Sequence, residues 1–160
     1  MAKVIQSEYQ IVAEPWWAQG KGALIGLGAG FSWWVITSLL KRYVVEPLAC
    51  RDLSTASACV DSFGVAGSIA ALIVALAGMY VLVRAVQPRP IVIAAASAIL
   101  LWDLGSLMAG LSWWVTLLWA VPIYTIAYAL FGLTARLRSI VVSILVSLIL
   151  IVGIRLLLTL

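Results

Sequence analysis

Histidine is absent from the 160 residues, and charge is scarce, with ten Lys or Arg and six Asp or Glu. Without imidazole there is no histidine ligation of haem, zinc or copper, and a general base near neutral pH needs a carboxylate or lysine of shifted affinity. The only cysteines, Cys50 and Cys59, have eight residues between them and form no CxxC pair. That spacing is poor for a dithiol redox centre and suits a staple within one loop, so a structural disulfide is expected. No phosphate-binding glycine loop or nucleophile motif occurs, and the net charge of +4 is scattered rather than gathered into a basic patch. The chain therefore reads as noncatalytic, with no metal, no cofactor and no nucleic-acid partner expected.

Apolar residues make up 65% of the chain, only 10% are charged, and mean hydropathy is +1.17. A soluble domain is nearer half apolar and a quarter charged, so lipid is the solvent for most of this chain. Gly22 to Leu40 carries no charge and extends to Val45 if Lys41 and Arg42 snorkel. Ser62 to Val83 is uncharged and is bounded by Asp61 and Arg84. From Pro90 to Ala135 the single charged residue is Asp103, and one straight helix of that length would measure roughly 69 Å, so it must fold back. Gly110, Leu111 and Ser112 offer the turn, because glycine ends a helix in the left-handed region and serine starts the next. Arg136 and Arg138 then precede a last apolar run, which holds Arg155.

The fold expected is all-α, a polytopic helical membrane protein with about five transmembrane helices in a single transmembrane domain. The spans fall at about 22–45, 62–86, 91–110, 113–134 and 139–160, with an external loop at 46–61. Pro122 inside the fourth span removes a hydrogen bond to the Leu118 carbonyl and predicts a kink. Before the first span, residues 1–21 read as an interfacial segment in which Ile5, Tyr9, Val12 and Trp16 fall at helical spacing, so a short surface helix is expected over Ala2 to Glu14, ended by Pro15. A cleaved leader is not expected, because the first long apolar run has the length of a span.

Lys3, Lys21, Arg84, Arg89, Arg136 and Arg138 fall on the side of the N-terminus, against Lys41, Arg42, Arg51 and Arg155 on the other. The excess favours a multi-pass protein of the plasma (inner) membrane with a cytoplasmic N-terminus and an external C-terminus. That choice also places Cys50 and Cys59 in an oxidising space.

Asp103 is the most informative residue. A carboxylate inside a span costs about 3 kcal/mol on insertion scales, so it is expected to be paired, protonated or working. Arg155 lies at a similar depth and is the first candidate partner, with Lys41 and Arg42 as others. A structural ion pair is preferred to a proton or cation relay, because no second acid lies in the other half of the bilayer.

Gly22, Gly26 and Gly30 form a smooth face for close helix packing. Within the chain, the matching small face is Gly67, Ala71 and Ala75 of the second span; outside it, the face suits a partner subunit. Trp33 and Trp34 lie roughly 18 Å beyond Gly22, near the expected bilayer middle, and are expected to fill packing space rather than hold an apolar, quinone-like ligand. Trp16, Trp17, Trp113 and Trp114 read as interfacial anchors. Residues 24–35, LIGLGAGFSWWV, are echoed by residues 104–115, LGSLMAGLSWWV, at eight of twelve positions. The first copy is expected within a helix and the second at a hairpin, so the copies would differ in structure.

The function expected is that of a noncatalytic subunit, scaffold or anchor of a membrane complex, acting through its glycine and tryptophan faces. Its partners would be the lipid bilayer and another membrane protein or a second copy of itself, with no soluble-domain partner. The alternative is a small oligomeric transporter or channel with Asp103 as its coupling residue. A thiol oxidoreductase built on Cys50 and Cys59 is the weakest reading.

Overall fold

The computed structural model describes residues 17–49, 62–85, 89–136 and 139–159, and every element among them is helical. In chain order these are α1 (Trp17–Leu40), a π-helical turn (Lys41–Val45), α2 (Glu46–Ala49), α3 (Ser62–Arg84), α4 (Pro90–Leu100), α5 (Leu104–Leu107), α6 (Trp113–Thr134) and α7 (Ile140–Thr159). The chain is a helical membrane protein. Four helical segments are long and apolar enough to cross a bilayer, and α7 adds a fifth apolar helix of 20 residues. The outer surface carries the apolar side chains such a helix bundle presents to lipid. On α7, for instance, Val141, Leu145, Leu148 and Val152 are exposed while Ser143, Ser147 and Ile151 are buried.

The expected interfacial helix within 1–21 falls mostly outside the described residues, as do Cys50, Cys59 and most of the 46–61 loop; no disulfide occurs among the described residues. Two boundaries differ from expectation. The first span starts at Trp17 and continues as helix to Ala49, so Glu46–Ala49 is not loop. Its continuation passes through a wide turn in which the Glu46 N–H bonds to the Lys41 carbonyl, five residues back. Pro47 supplies a physical reason. It has no N–H for the Tyr43 carbonyl, and its ring would clash with that carbonyl in a regular α-turn.

The third span is not the continuous helix expected over 91–110. Its 11-residue first part, α4, is about 16 Å long, and residues 101–103 form a turn before α5. Close packing at α5 accompanies the break. A Cβ built on Gly105 would stand 2.9 Å from the Phe63 carbonyl oxygen and 3.1 Å from the Gly67 Cα, so α5 and α3 touch backbone to backbone. The turn expected at Gly110–Ser112 is present. Gly110 has φ +90, a conformation glycine adopts without strain, and Ser112 is extended at the N-cap of α6. Helix α6 runs through Pro122 as one element.

At the other end of the bundle, Arg89 has φ 51 and precedes Pro90, which opens α4. Proline at the first helical position disfavours the α-region for its predecessor. The Arg89 Nη1 donates to the Ser139 carbonyl at 3.1 Å, tying the start of α4 to the start of α7. Among the described charged residues this end carries Lys21, Arg84, Arg89 and Arg136, all basic, whereas Lys41, Arg42, Glu46, Asp103 and Arg155 lie toward the hairpin end.

Candidate functional site

The glycine face of α1 is occupied within the chain, by a different helix from the one expected. A Cβ on Gly26 would stand 2.8 Å from the Tyr124 carbonyl oxygen, and one on Gly30 would stand 2.9 Å from the Val121 Cα. Gly22 faces the Tyr128 carbonyl oxygen at 4.0 Å. The partner of this stripe is therefore α6, and the sequence-based match to Gly67, Ala71 and Ala75 of α3 is corrected. Gly67 instead receives Gly105 and the Trp33 indole, Ala71 is buried, and Ala75 is half-buried. Small residues serve two seams because α3 must approach α5 and α1 must approach α6 at the same time.

Trp33 is fully buried and fills the junction of these seams. Its Nε1 donates to the Gly67 carbonyl at 2.9 Å, and its ring meets Phe63 edge-on at 6.3 Å and Tyr124 at 5.9 Å. Trp34 has a different role. Its Nε1 donates to the Trp113 carbonyl at 3.1 Å, and the two rings stack at 5.9 Å. Trp34 thus contacts the hairpin from which α6 starts. The two copies of the echoed motif meet here in different conformations: residues 24–35 are helical, whereas residues 104–115 hold α5, the turn and the first residues of α6.

Arg155 Nη2 lies 3.0 Å from Asp103 Oδ2 and donates at 3.0 Å to the Ile99 carbonyl. Asp103 falls on the last residue of the break in the third span. In an unbroken helix the Ile99 and Trp102 carbonyls would accept from residues four ahead. Here Arg155 serves the first and Ser68 Oγ serves the second at 3.3 Å, while Ser106 Oγ adds a bond of 2.7 Å to the Asp103 carbonyl. Side chains from neighbouring helices thereby satisfy backbone that lipid cannot. Beside the ion pair lies a mostly apolar cavity of about 410 Å³ between α4, α5, α6 and α7, reached by Leu104, Ile123 and Ile154.

Lys41 and Arg42 do not join Asp103, contrary to their candidacy. Lys41 Nζ lies 3.7 Å from Glu46 Oε1 and 5.6 Å from the centroid of Phe63, and the Arg42 guanidinium lies 6.0 Å from the Tyr43 ring. The π turn makes the first of these contacts, since residues five apart lie over one another there and on different sides of a regular α-helix. Lys41 also borders a second cavity, of about 330 Å³, with Trp34, Ser38, Phe63, Trp113 and Thr116.

A third space was not foreseen. Between α1 and α3 a lateral groove of about 510 Å³ opens along the side of the bundle, with Gly28 and Ser32 on one wall and Ala77 and Gly78 on the other. Gly28 has nothing within 4 Å of where its Cβ would be, unlike Gly26 and Gly30. The helical phase held a signal for it. Gly28 stands two residues from each of those glycines, so it cannot share their face.

Among the described residues no cluster of three metal-ligating side chains occurs. Comparison with protein-family models, with curated proteins and with solved structures finds no match to this chain.

Proposed function

We propose that the chain is a noncatalytic membrane subunit that receives a transmembrane helix of a neighbouring membrane protein, a second copy of itself included, in the groove between α1 and α3. The observation that carries this reading is the open space at Gly28, faced across the groove by Ala77; Gly78 lines the same wall by its backbone, its Cβ position being filled by Tyr128 of α6. Small residues on both walls let another backbone come close, and close approach is what drives helix association in lipid. The face used differs from the Gly22, Gly26 and Gly30 stripe, which α6 already covers. The four described basic residues at one end would face the cytoplasm, with the hairpin end and a disulfide between Cys50 and Cys59 outside.

Gly28→Leu tests the assignment without disturbing the internal seams. It should leave thermal stability near that of the wild type and dissociate a partner or oligomer that copurifies in mild detergent. A wild-type protein that is monomeric and alone, when extracted from its own membrane, contradicts it.

One observation favours a second reading, a small oligomeric transporter or channel: the third span breaks at Asp103, and intramembrane carboxylates at discontinuous helices serve as ion-coupling sites. On that reading Asp103→Asn abolishes proton or cation flux in reconstituted vesicles while the fold persists. Unchanged flux in the variant, or none in the wild type, removes it.

A further inference from the structure

We infer that the cavity at the hairpin end, bordered by Trp34, Ser38, Lys41 and Trp113, is a site for the phosphate headgroup of an anionic phospholipid. This inference is independent of the lateral groove. The cavity measures about 330 Å³ and combines stacked indoles with few polar groups, the composition of small-ligand sites. Trp34, Ser38 and Lys41 follow one another at spacings of four and three, so one face of α1 and the π-helical turn that continues it carries ring, hydroxyl and ammonium in order.

The ammonium decides the sign of the ligand. Lys41 Nζ reaches Glu46 at 3.7 Å, well beyond the 2.7–2.9 Å of a charge-assisted hydrogen bond, and the two side chains are 38% and 45% exposed. Glu46 therefore pairs with Lys41 without enclosing it, and the ammonium is open to an anion that enters the cavity. The Ser112 side chain makes no capping bond at the start of α6, so the N–H groups of that first turn add positive potential beside Trp113.

The location selects the source of the anion. Trp113 and Trp114 are exposed at this end, and exposed indoles belong at the level of lipid headgroups. A phosphodiester here would contact Lys41, a headgroup hydroxyl would contact Ser38, and the acyl chains would leave along the apolar flank of the bundle. The π turn is what brings Glu46 over Lys41. Glu46 thus acts as an internal competitor for the ammonium, and removing it strengthens the site.

The test uses the full chain in non-ionic detergent, with phosphatidylglycerol and phosphatidylcholine of identical acyl chains at equal concentration, and counts retained lipids by native mass spectrometry. The wild type should retain one phosphatidylglycerol in preference to phosphatidylcholine. Lys41→Gln should lower that occupancy about fivefold, and Glu46→Gln should raise it about fivefold, the scale of one partly exposed charge interaction. The opposed signs separate binding from misfolding, since a damaged fold does not gain affinity. An equal preference in the wild type and Lys41→Gln, or no gain in Glu46→Gln, overturns the inference. Displacement of the lipid by excess inorganic phosphate overturns the lipid as the source.

Discussion

Gly26 of α1 lies so close to Tyr124 of α6 that a Cβ placed on it would stand 2.8 Å from the Tyr124 carbonyl oxygen. Two residues later, Gly28 has open space around it. One helix thus uses glycine for two purposes on two faces, and the faces respond differently to the same substitution.

Gly26→Ala should destabilise the bundle by about 1–3 kcal/mol, the usual cost of overpacking a close seam, and Gly26→Leu by more. Gly28→Ala and Gly28→Leu should remain near the wild type. Thermal unfolding in one detergent, followed by tryptophan fluorescence, orders the four variants. A Gly28 variant as unstable as its Gly26 counterpart refutes the packing described here.

Trp33→Phe should cost about 1–2 kcal/mol, because it removes the bond to the Gly67 carbonyl and part of the ring that fills the junction of α1, α3 and α6. Trp114→Phe, at an exposed ring, should cost much less. Equal losses at the two positions contradict the assignment of Trp33 to the interior.

Arg155→Met should lower stability by about 1 kcal/mol, since it leaves the half-exposed Asp103 carboxylate without its partner and the Ile99 carbonyl without its donor. In an Asp103→Leu background the same change should cost less, the difference measuring the coupling. Exchanging the two residues should restore stability only in part, because an aspartate at 155 cannot donate to the Ile99 carbonyl. A double-mutant cycle with zero coupling excludes the ion pair as the clasp of α7.

The excess of Lys21, Arg84, Arg89 and Arg136 at one end predicts which side a membrane-impermeant maleimide reaches. In intact cells, Cys50 and Cys59 should label from outside, and only after reduction. Labelling that requires permeabilisation reverses the orientation, and labelling without reductant excludes the disulfide.

The helices were legible in the sequence wherever one long uncharged run stood alone: α3 and α6 lie within two residues of the spans read from hydropathy, and Gly110 marks the turn before α6. The break at residues 101–103 is hidden, because Leu, Trp and Leu around Asp103 keep the pattern apolar, and the packing of Gly105 on Gly67 that accompanies it lies across the bundle. Arg155 was found as the neighbour of Asp103 by matching depths along two helices, an arithmetic that needs only the helical rise. The same arithmetic offers Lys41 as well, but the π turn that precedes Pro47 gives Lys41 Glu46 instead, and depth alone carries no information about azimuth. Matching small residues to small residues sets the glycine stripe against Gly67, Ala71 and Ala75 of α3, whereas α6 is its neighbour. Stripes of small residues identify a packing face without naming what packs there.

The proposed docking surface is tested most directly by a photo-crosslinking amino acid placed at position 28, with position 153 as a control that also has open space around it. Irradiated in the native membrane, position 28 should yield one discrete protein adduct that digestion assigns to a transmembrane segment of a single chain, while position 153 yields lipid alone. Lipid adducts alone at position 28, in a protein whose fold is intact, contradict the account.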